Sequence, residues 1–156
     1  MVIKTTPRIV EEANGSAESK YKPNITVFHC FNALNSAEFL AEKSGEIRSV
    51  KLPCSSMNRE VVLLRAFEAG ADAVVVLACP EGTCRYVQGN LRAAKRVARV
   101  KKILDEIGIG GRRLNFFNIV HNDQSAVDSI IEQTIIELEK LGPNPAKHDS
   151  PLINVN

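Results

Sequence analysis

Hydrophobic residues along this chain alternate between short apolar runs and longer stretches in which they recur every three or four positions. The short runs predict strands over 25–29, 46–52, 73–78 and 114–120. The longer stretches predict helices over 36–43, 58–69, 90–107 and 123–141. The run over 73–78 is uninterrupted and rich in valine, as a strand covered on both faces must be, so we expect it at the centre of the sheet.

Polar residues and glycines mark the expected ends of the helices. Asn58 and Asn90 are the expected N-caps of the second and third helices, and Gly70 and Gly108 are expected to end them. The expected inner face of the second helix is Val61, Leu64, Ala66 and Phe67. That of the third helix is Leu91, Ala94, Val97, Ala98, Val100, Leu104 and Ile107.

Four strand–helix repeats predict an α/β fold, because the connections between parallel strands are right-handed and place helices on both faces of the sheet. We expect a flavodoxin-like or Rossmann-like three-layer sandwich around a four-stranded parallel sheet in the order 2-1-3-4. No glycine-rich phosphate loop follows any strand, so nucleotide binding is unsupported. The predicted organisation is a flexible N-terminal tail over 1–23, one domain over 24–142 and an extended C-terminal tail over 143–156.

Four cysteines, Cys30, Cys54, Cys79 and Cys84, follow three of the predicted strands. The carboxyl ends of neighbouring parallel strands meet at one edge of the sheet, so we expect these thiols to share one site. Four cysteine thiolates are the ligand set of an iron-sulfur cluster. A single buried cysteine is more often a small core residue, but four at strand ends make that explanation harder to maintain.

Composition and charge argue against several classes of function. The chain has 156 residues and a net charge of +2, with two tyrosines and no tryptophan, so binding to nucleic acid is not expected. No apolar run reaches the length of a membrane span and the first residues do not resemble a signal peptide, which predicts a cytoplasmic protein. Thiols stay reduced in the cytosol, which favours metal or redox chemistry over disulfides. The basic residues over 85–113 are interpreted as a solvated helix face.

The stretch over 66–97 contains a Gly-Ala-Asp run, the loop Cys-Pro-Glu-Gly-Thr-Cys and a Gly-Asn pair before a basic helix. In these motifs the chain resembles the delta subunits of methyl-viologen-reducing hydrogenase, over about residues 24–143. The resemblance implies an electron-transfer subunit with one 2Fe-2S cluster. It would relay electrons between a flavin-bearing, heterodisulfide-reductase-like subunit and a hydrogenase, formate dehydrogenase or other dehydrogenase subunit. The expected cluster ligands are Cys30, Cys54, Cys79 and Cys84.

The chain departs from the family pattern at several positions. Phe31, Asn32 and Ala33 follow Cys30 where the family has a second cysteine, although four thiols remain. The chain shows no nucleophile paired with a base, so turnover is expected to belong to partner subunits. His29 and His121 are expected to be hydrogen-bonded polar residues rather than iron ligands. Two alternatives stay open: a thiol-disulfide or sulfur-handling protein that uses Cys79 and Cys84, and a cluster-free assembly adaptor.

Overall fold

The computed structural model describes residues 21–148, in which four strands and three helices alternate. The strands are β1 (Asn24–Cys30), β2 (Glu46–Leu52), β3 (Ala73–Ala78) and β4 (Leu114–Asn118). The helices are α1 (Glu60–Glu68), α2 (Gly89–Glu106) and α3 (Gln124–Leu141), with 3-10 turns at Glu38–Glu42, Ser55–Met57, Gly111–Arg113 and Pro145–His148. Most of the two predicted tails, over 1–20 and 149–156, lies outside the described residues. The predicted domain boundaries therefore stay predictions.

The strands form one parallel sheet in the order β2-β1-β3-β4, which confirms the predicted α/β fold and strand order. β1 pairs with β2 on one side and with β3 on the other. Cys30, the last residue of β1, lies opposite Leu52, the last residue of β2. The carboxyl ends of β1, β2 and β3 are therefore immediate neighbours.

Two hydrophobic layers cover the sheet, one on each face. Val74 and Val76 of β3 pack with Leu63 of α1 and Val97 of α2. The alternate residues of the same strand, Ala73, Val75 and Leu77, pack toward α3 and its residues Val127, Ile131 and Leu138. All six residues of β3 are buried, which confirms its predicted central position. Among residues 21–148, no helix has both the length and the apolar character needed to cross a bilayer.

Several predicted element ends are wrong. Asn58 does not cap α1, because its side chain bonds no N–H group of that helix. Its backbone N–H closes the preceding 3-10 turn on the Ser55 carbonyl at 3.0 Å. α1 begins at Glu60 after the N-cap Arg59. α2 begins at Gly89 and ends at Glu106, β4 ends at Asn118, and the predicted helix over 36–43 is the 3-10 turn Glu38–Glu42. Four residues predicted to face the core are instead exposed: Val61, Leu91, Ala98 and Ile107.

A buried polar cluster at the amino edge of the sheet holds both ends of the described chain. The carboxylate of Asp72, which precedes β3, accepts hydrogen bonds of 2.8 Å from the backbone N–H groups of Asn24 and Asn144. The Asn144 side chain donates to the carbonyls of Phe67 and Ala71 at 3.1 and 2.9 Å. Asp72 and Asn144 are both fully buried. Because bulk water cannot reach their polar atoms, these hydrogen bonds within the protein satisfy them instead.

The guanidinium of Arg113 fixes the end of α3 to the same cluster. Its nitrogens donate to five backbone carbonyls, those of Ile109, Asp72, Leu141, Gly142 and Pro143. A guanidinium has five N–H donors, so the whole donor capacity of this buried side chain is used. The residues directly after α3 are thereby held against the domain.

We expect Asn144→Ala to lower the free energy of unfolding by about 2 to 4 kcal/mol, because it leaves the buried carbonyls of Phe67 and Ala71 without a donor. Urea denaturation followed by circular dichroism measures the change. Asn35→Ala is the matched control, since Asn35 is exposed and only its backbone forms hydrogen bonds. Equal stability of the two variants would contradict a structural role for the Asn144 side chain.

Candidate functional site

The four cysteines lie at the carboxyl edge of the sheet, and all four are free thiols. Cys30 is the last residue of β1, Cys54 is the second residue after β2, and Cys79 directly follows β3. Cys84 ends the loop that connects Cys79 to the segment before α2. The first three are buried and Cys84 is half-buried. The fold therefore brings together thiols that are up to 54 positions apart in sequence, from Cys30 to Cys84.

Cys79 lies between two other thiols. The pKa of Cys79 is raised to about 12, first by burial and next by its hydrogen bond with the Cys84 thiol. The nearby sulfur of Cys30 acts in the same direction, because two thiolates repel each other. In the metal-free protein Cys79 is therefore a neutral thiol at pH 7. A cation bound among these sulfurs would offset the repulsion between the thiolates and so favour their deprotonated form.

Cys84 has the opposite electrostatics. Burial favours its neutral form, but hydrogen bonds outweigh burial and lower the pKa of the thiol. They come from the backbone N–H groups of Asn90, Tyr86 and Gly89 and from the Cys79 thiol. α2 has no side-chain N-cap, so the sulfur of Cys84 takes the place of a capping oxygen at its first turn. The helix N-terminus favours the thiolate form of Cys84, and the thiolate is the form of cysteine that binds metal.

Cys54, which follows β2, also lies beside the start of α2. Its Sγ accepts hydrogen bonds from the backbone N–H of Ser56 at 3.4 Å and from the Ser56 hydroxyl at 3.2 Å. A Cβ added at Gly89 would overlap the Sγ of Cys54 and stand 3.2 Å from the Sγ of Cys84. The two sulfurs therefore share the space that the absence of a side chain at Gly89 leaves open.

The thiols are neighbours in the order Cys30, Cys79, Cys84, Cys54. Over the described range 21–148, no three His, Cys, Asp or Glu side chains are grouped closely enough to hold one metal ion. A two-iron cluster has a different requirement, since each of its irons takes two cysteines. Three features fit such a cluster. The thiols are neighbours in pairs, backbone N–H groups donate to sulfur, and Gly89 leaves room beside the sulfurs of Cys54 and Cys84. The four thiols are thus a suitable ligand set for a two-iron cluster.

Two asparagines position the loop that begins at Cys79, and sequence reasoning missed both. The side-chain amides of Asn90 and Asn118 donate to the Cys79 carbonyl at 3.0 and 2.7 Å. Asn90 also donates to the Pro80 carbonyl at 3.0 Å. The available signal for Asn90 was the Gly-Asn pair before the basic helix. We interpreted Asn90 as a helix cap, whereas its amide is directed to the cysteine loop.

The two histidines near the strand ends form hydrogen bonds to loop carbonyls, as expected. His29 is buried, and its Nδ1 lies 3.0 Å from the Leu34 carbonyl oxygen. Burial lowers its pKa, so the ring is neutral at pH 7 and Nδ1 donates to that carbonyl. His121 is exposed, and its Nδ1 lies 2.8 Å from the Asn32 carbonyl oxygen. Both rings hold the turn after β1.

Six exposed apolar side chains lie on segments at the carboxyl edge of the sheet, and we call them the apolar rim. Its members follow β1, β2 or β4, or lie between Cys84 and the first turn of α2: Phe31, Met57, Tyr86, Val87, Leu91 and Val120. Val87 is 78% exposed and has a φ of 61°, a strained conformation for a β-branched residue. Beside the rim, Phe31, Lys51, Arg85 and Tyr86 line a cleft of about 520 Å³. The cysteine edge is therefore both apolar and basic at its surface.

We expect Gly89→Ala to displace the Cys54 thiol and to lower the free energy of unfolding by about 1 to 3 kcal/mol, because the new methyl group overlaps the Sγ of Cys54. Urea denaturation measures the stability, and iron analysis after anaerobic reconstitution measures the effect on metal binding. Gln88→Ala, at the exposed preceding residue, is the control. Wild-type stability and iron content in Gly89→Ala would contradict the close approach of Cys54 to α2.

Comparison with known proteins agrees with this geometry. The family model described as methyl-viologen-reducing hydrogenase, delta subunit, matches residues 25–142. An iron-sulfur subunit of the vhu F420-non-reducing hydrogenase of Methanocaldococcus jannaschii is 39% identical over 130 residues, which cover 80% of this chain and 97% of that protein. The subunit of the same name from Methanococcus maripaludis is 36% identical over 131 residues, 81% of this chain and 98% of its own length.

A third relative contains a similar segment within a much longer protein. One subunit of the ferredoxin:CoB-CoM heterodisulfide reductase of Methanosarcina mazei is 34% identical over 97 residues, which are 62% of this chain but 12% of that protein. The matched range 25–142 covers the three helices and all four strands except Asn24, the first residue of β1. The chain therefore belongs to the delta-subunit family of methyl-viologen-reducing hydrogenase.

Proposed function

We propose that this chain is an electron-transfer subunit that carries one 2Fe-2S cluster on Cys30, Cys54, Cys79 and Cys84. The main observation is the succession of four neighbouring thiols at one edge of the sheet, two of which lie beside the position that a Cβ of Gly89 would occupy. The names of the relatives support an iron-sulfur cofactor, since they are called iron-sulfur subunits of a hydrogenase. Such a cluster supplies one-electron transfer.

The protein's contribution to this function is electrostatic. Backbone N–H groups at the start of α2 stabilise negative charge on the Cys84 sulfur, and the Ser56 hydroxyl does so on Cys54. Hydrogen bonds to sulfur favour the more negative, reduced state and raise the reduction potential. Burial of Cys30 and Cys79 acts in the opposite direction, because a low dielectric disfavours added charge. The balance of these two effects would set the potential of the site.

Anaerobically prepared protein is expected to bind about two irons and two sulfides per chain, because four thiolates complete a two-iron cluster. Cys79→Ser and Cys84→Ser are each expected to abolish or strongly shift the electron paramagnetic resonance signal of the reduced protein. Ser129→Ala, on the outer face of α3, is the control for the substitutions. A colourless protein with four titratable thiols after reconstitution would contradict the proposal.

A second function is favoured by the pair Cys79 and Cys84. Their thiols are hydrogen-bonded to each other, and Cys84 has the lowered pKa of a reactive cysteine. These properties suit a thiol-disulfide or sulfur-handling protein. The anaerobic preparation separates the alternatives: such a protein would be iron-free and reversibly oxidised at this pair, whereas a cluster-free adaptor would be iron-free and inert.

We further propose that the apolar rim docks on a flavin-bearing, heterodisulfide-reductase-like subunit, and that the second partner is a hydrogenase, formate dehydrogenase or other dehydrogenase subunit. Exposed apolar side chains on the segments that leave the cysteine edge support a contact surface, because exposed apolar patches mark interaction sites. Arg85 and Arg92 beside the rim favour a partner with acidic residues. The proposal includes a cytoplasmic location.

The proposed domain organisation follows the sequence prediction, with an iron-sulfur domain over 24–142 between two tails. The family match over 25–142 supports this division. The first residues of the C-terminal tail contact the domain through Asn144, so any truncation that tests the tail has to begin after residue 148. Deletion from residue 144 would remove a buried side chain and confuse folding with docking.

Val87→Asp is expected to weaken binding to the heterodisulfide-reductase-like subunit by about tenfold or more, equivalent to about 1.4 kcal/mol, because it places a charge in the apolar rim. Aspartate tolerates the positive φ of this residue, so the fold is retained. Co-purification from the native host, followed by affinity measurement with the identified subunit, provides the test. Ile136→Asp, at an equally apolar and 52% exposed residue of α3, is the matched control. Equal weakening by the two variants would exclude the rim as the docking surface.

A further inference from the structure

Two buried polar side chains beside Cys54 lack any hydrogen-bond partner. They are Ser55, through Oγ, and Asn58, through both Oδ1 and Nδ2. Their exposed fractions are 1% and 0%, so bulk water does not reach them. One further buried oxygen of residues 21–148 is in the same class, Oδ1 of Asp128, but it faces the Lys43 ammonium at 3.1 Å. Buried polar groups without partners are costly and rare, so those of Ser55 and Asn58 require an explanation.

Both residues belong to the same turn as a candidate cluster ligand. Cys54 is the N-cap of the 3-10 turn Ser55–Met57, and Asn58 is its C-cap. The turn contacts β1, β3 and α2, which are the elements that carry or border the other three cysteines. Ser56, between the two unpartnered residues, already donates its hydroxyl to the Sγ of Cys54 at 3.2 Å. The unpartnered donors are thus buried in the turn that follows Cys54 and packs against these elements.

We propose that Ser55 and Asn58 donate hydrogen bonds to the inorganic sulfide atoms of the cluster bound at Cys54, because neither side chain bonds a cysteine sulfur in this structure. This inference rests on the proposed function, since it requires the cluster. A serine hydroxyl offers one donor and an asparagine amide offers two, whereas thiolate and sulfide sulfur only accept. Reduction adds negative charge to those sulfurs, so donors aimed at them stabilise the reduced state. Ser55 and Asn58 would therefore raise the reduction potential.

A buried water molecule is the competing partner of these side chains. It can donate to Oδ1 of Asn58 as well as accept from Nδ2, and buried waters commonly serve such groups. The two explanations differ in their consequence for the cluster. A water molecule that satisfies Asn58 without contacting sulfur leaves the reduction potential independent of the side chain. Donation to sulfur makes the potential depend on it.

The experiment compares the reduction potentials of cluster-loaded wild type, Ser55→Ala and Asn58→Leu, measured by redox titration followed by electron paramagnetic resonance. We expect each variant to have a more negative potential, by about a tenfold change in the equilibrium constant for reduction, which for one electron is about 59 mV. Hyperfine couplings of exchangeable protons, measured after transfer to deuterated buffer, should decrease in number in each variant. A wild-type potential with unchanged couplings in both variants would overturn the inference.

Two control variants and a measurement of iron content determine how the reduction potentials are interpreted. Ser56→Ala is the positive control, because its hydroxyl bonds the Cys54 sulfur directly, and it should lower the potential. Ser129→Ala is the negative control, because its hydroxyl bonds the Ser125 carbonyl on α3. If Asn58→Leu does not hold a cluster, Ser55→Ala decides the outcome. Failure of wild type to bind iron would instead refute the proposed function itself, whereas iron-replete variants with wild-type potentials refute only this inference.

Discussion

The site depends on one constraint of the sheet, the parallel pairing of β1 with both β2 and β3. Because all three strands run in the same direction, the residues after them leave the sheet at the same edge, and side chains distant in sequence become neighbours. A slip of one residue in this register would direct Cys30 to the opposite face. The two buried layers on β3 fix the register, so the hydrophobic core also determines the geometry of the thiols.

The positions of Cys79 and Cys84 in the fold change the pKa values of their thiols in opposite directions. Cys79 lies in the interior beside other sulfurs, and burial raises its pKa, whereas Cys84 meets the N–H groups of α2 and its pKa is lowered. The positive end of α2 thus compensates part of the charge that four thiolates would bring together. Gly89 makes this possible, because a side chain there would separate Cys54 from the helix.

Sequence reasoning recovered the features that follow from hydrophobic periodicity and strand direction: the four strands, their order, the central β3 and the edge that holds the cysteines. It failed where a residue's role depends on its partners in space. Asn58 has the sequence signature of a helix cap, but it closes a 3-10 turn and is buried. Asn118 contacts the Cys79 carbonyl 39 residues away in sequence, and no local pattern indicates that bond.

The polar cluster around Asp72 has a consequence for how this fold can be joined to others. It holds Asn24 and Asn144 side by side at the pole of the sheet opposite the cysteines. A linker attached at either point would therefore extend away from the cysteine edge and leave that edge accessible. The fold is suited to attachment to further chain, and a segment similar to 62% of this chain makes up 12% of a heterodisulfide reductase subunit. With residues 24 and 144 at one pole and the cysteines at the other, the domain can be joined to further chain without covering the thiols.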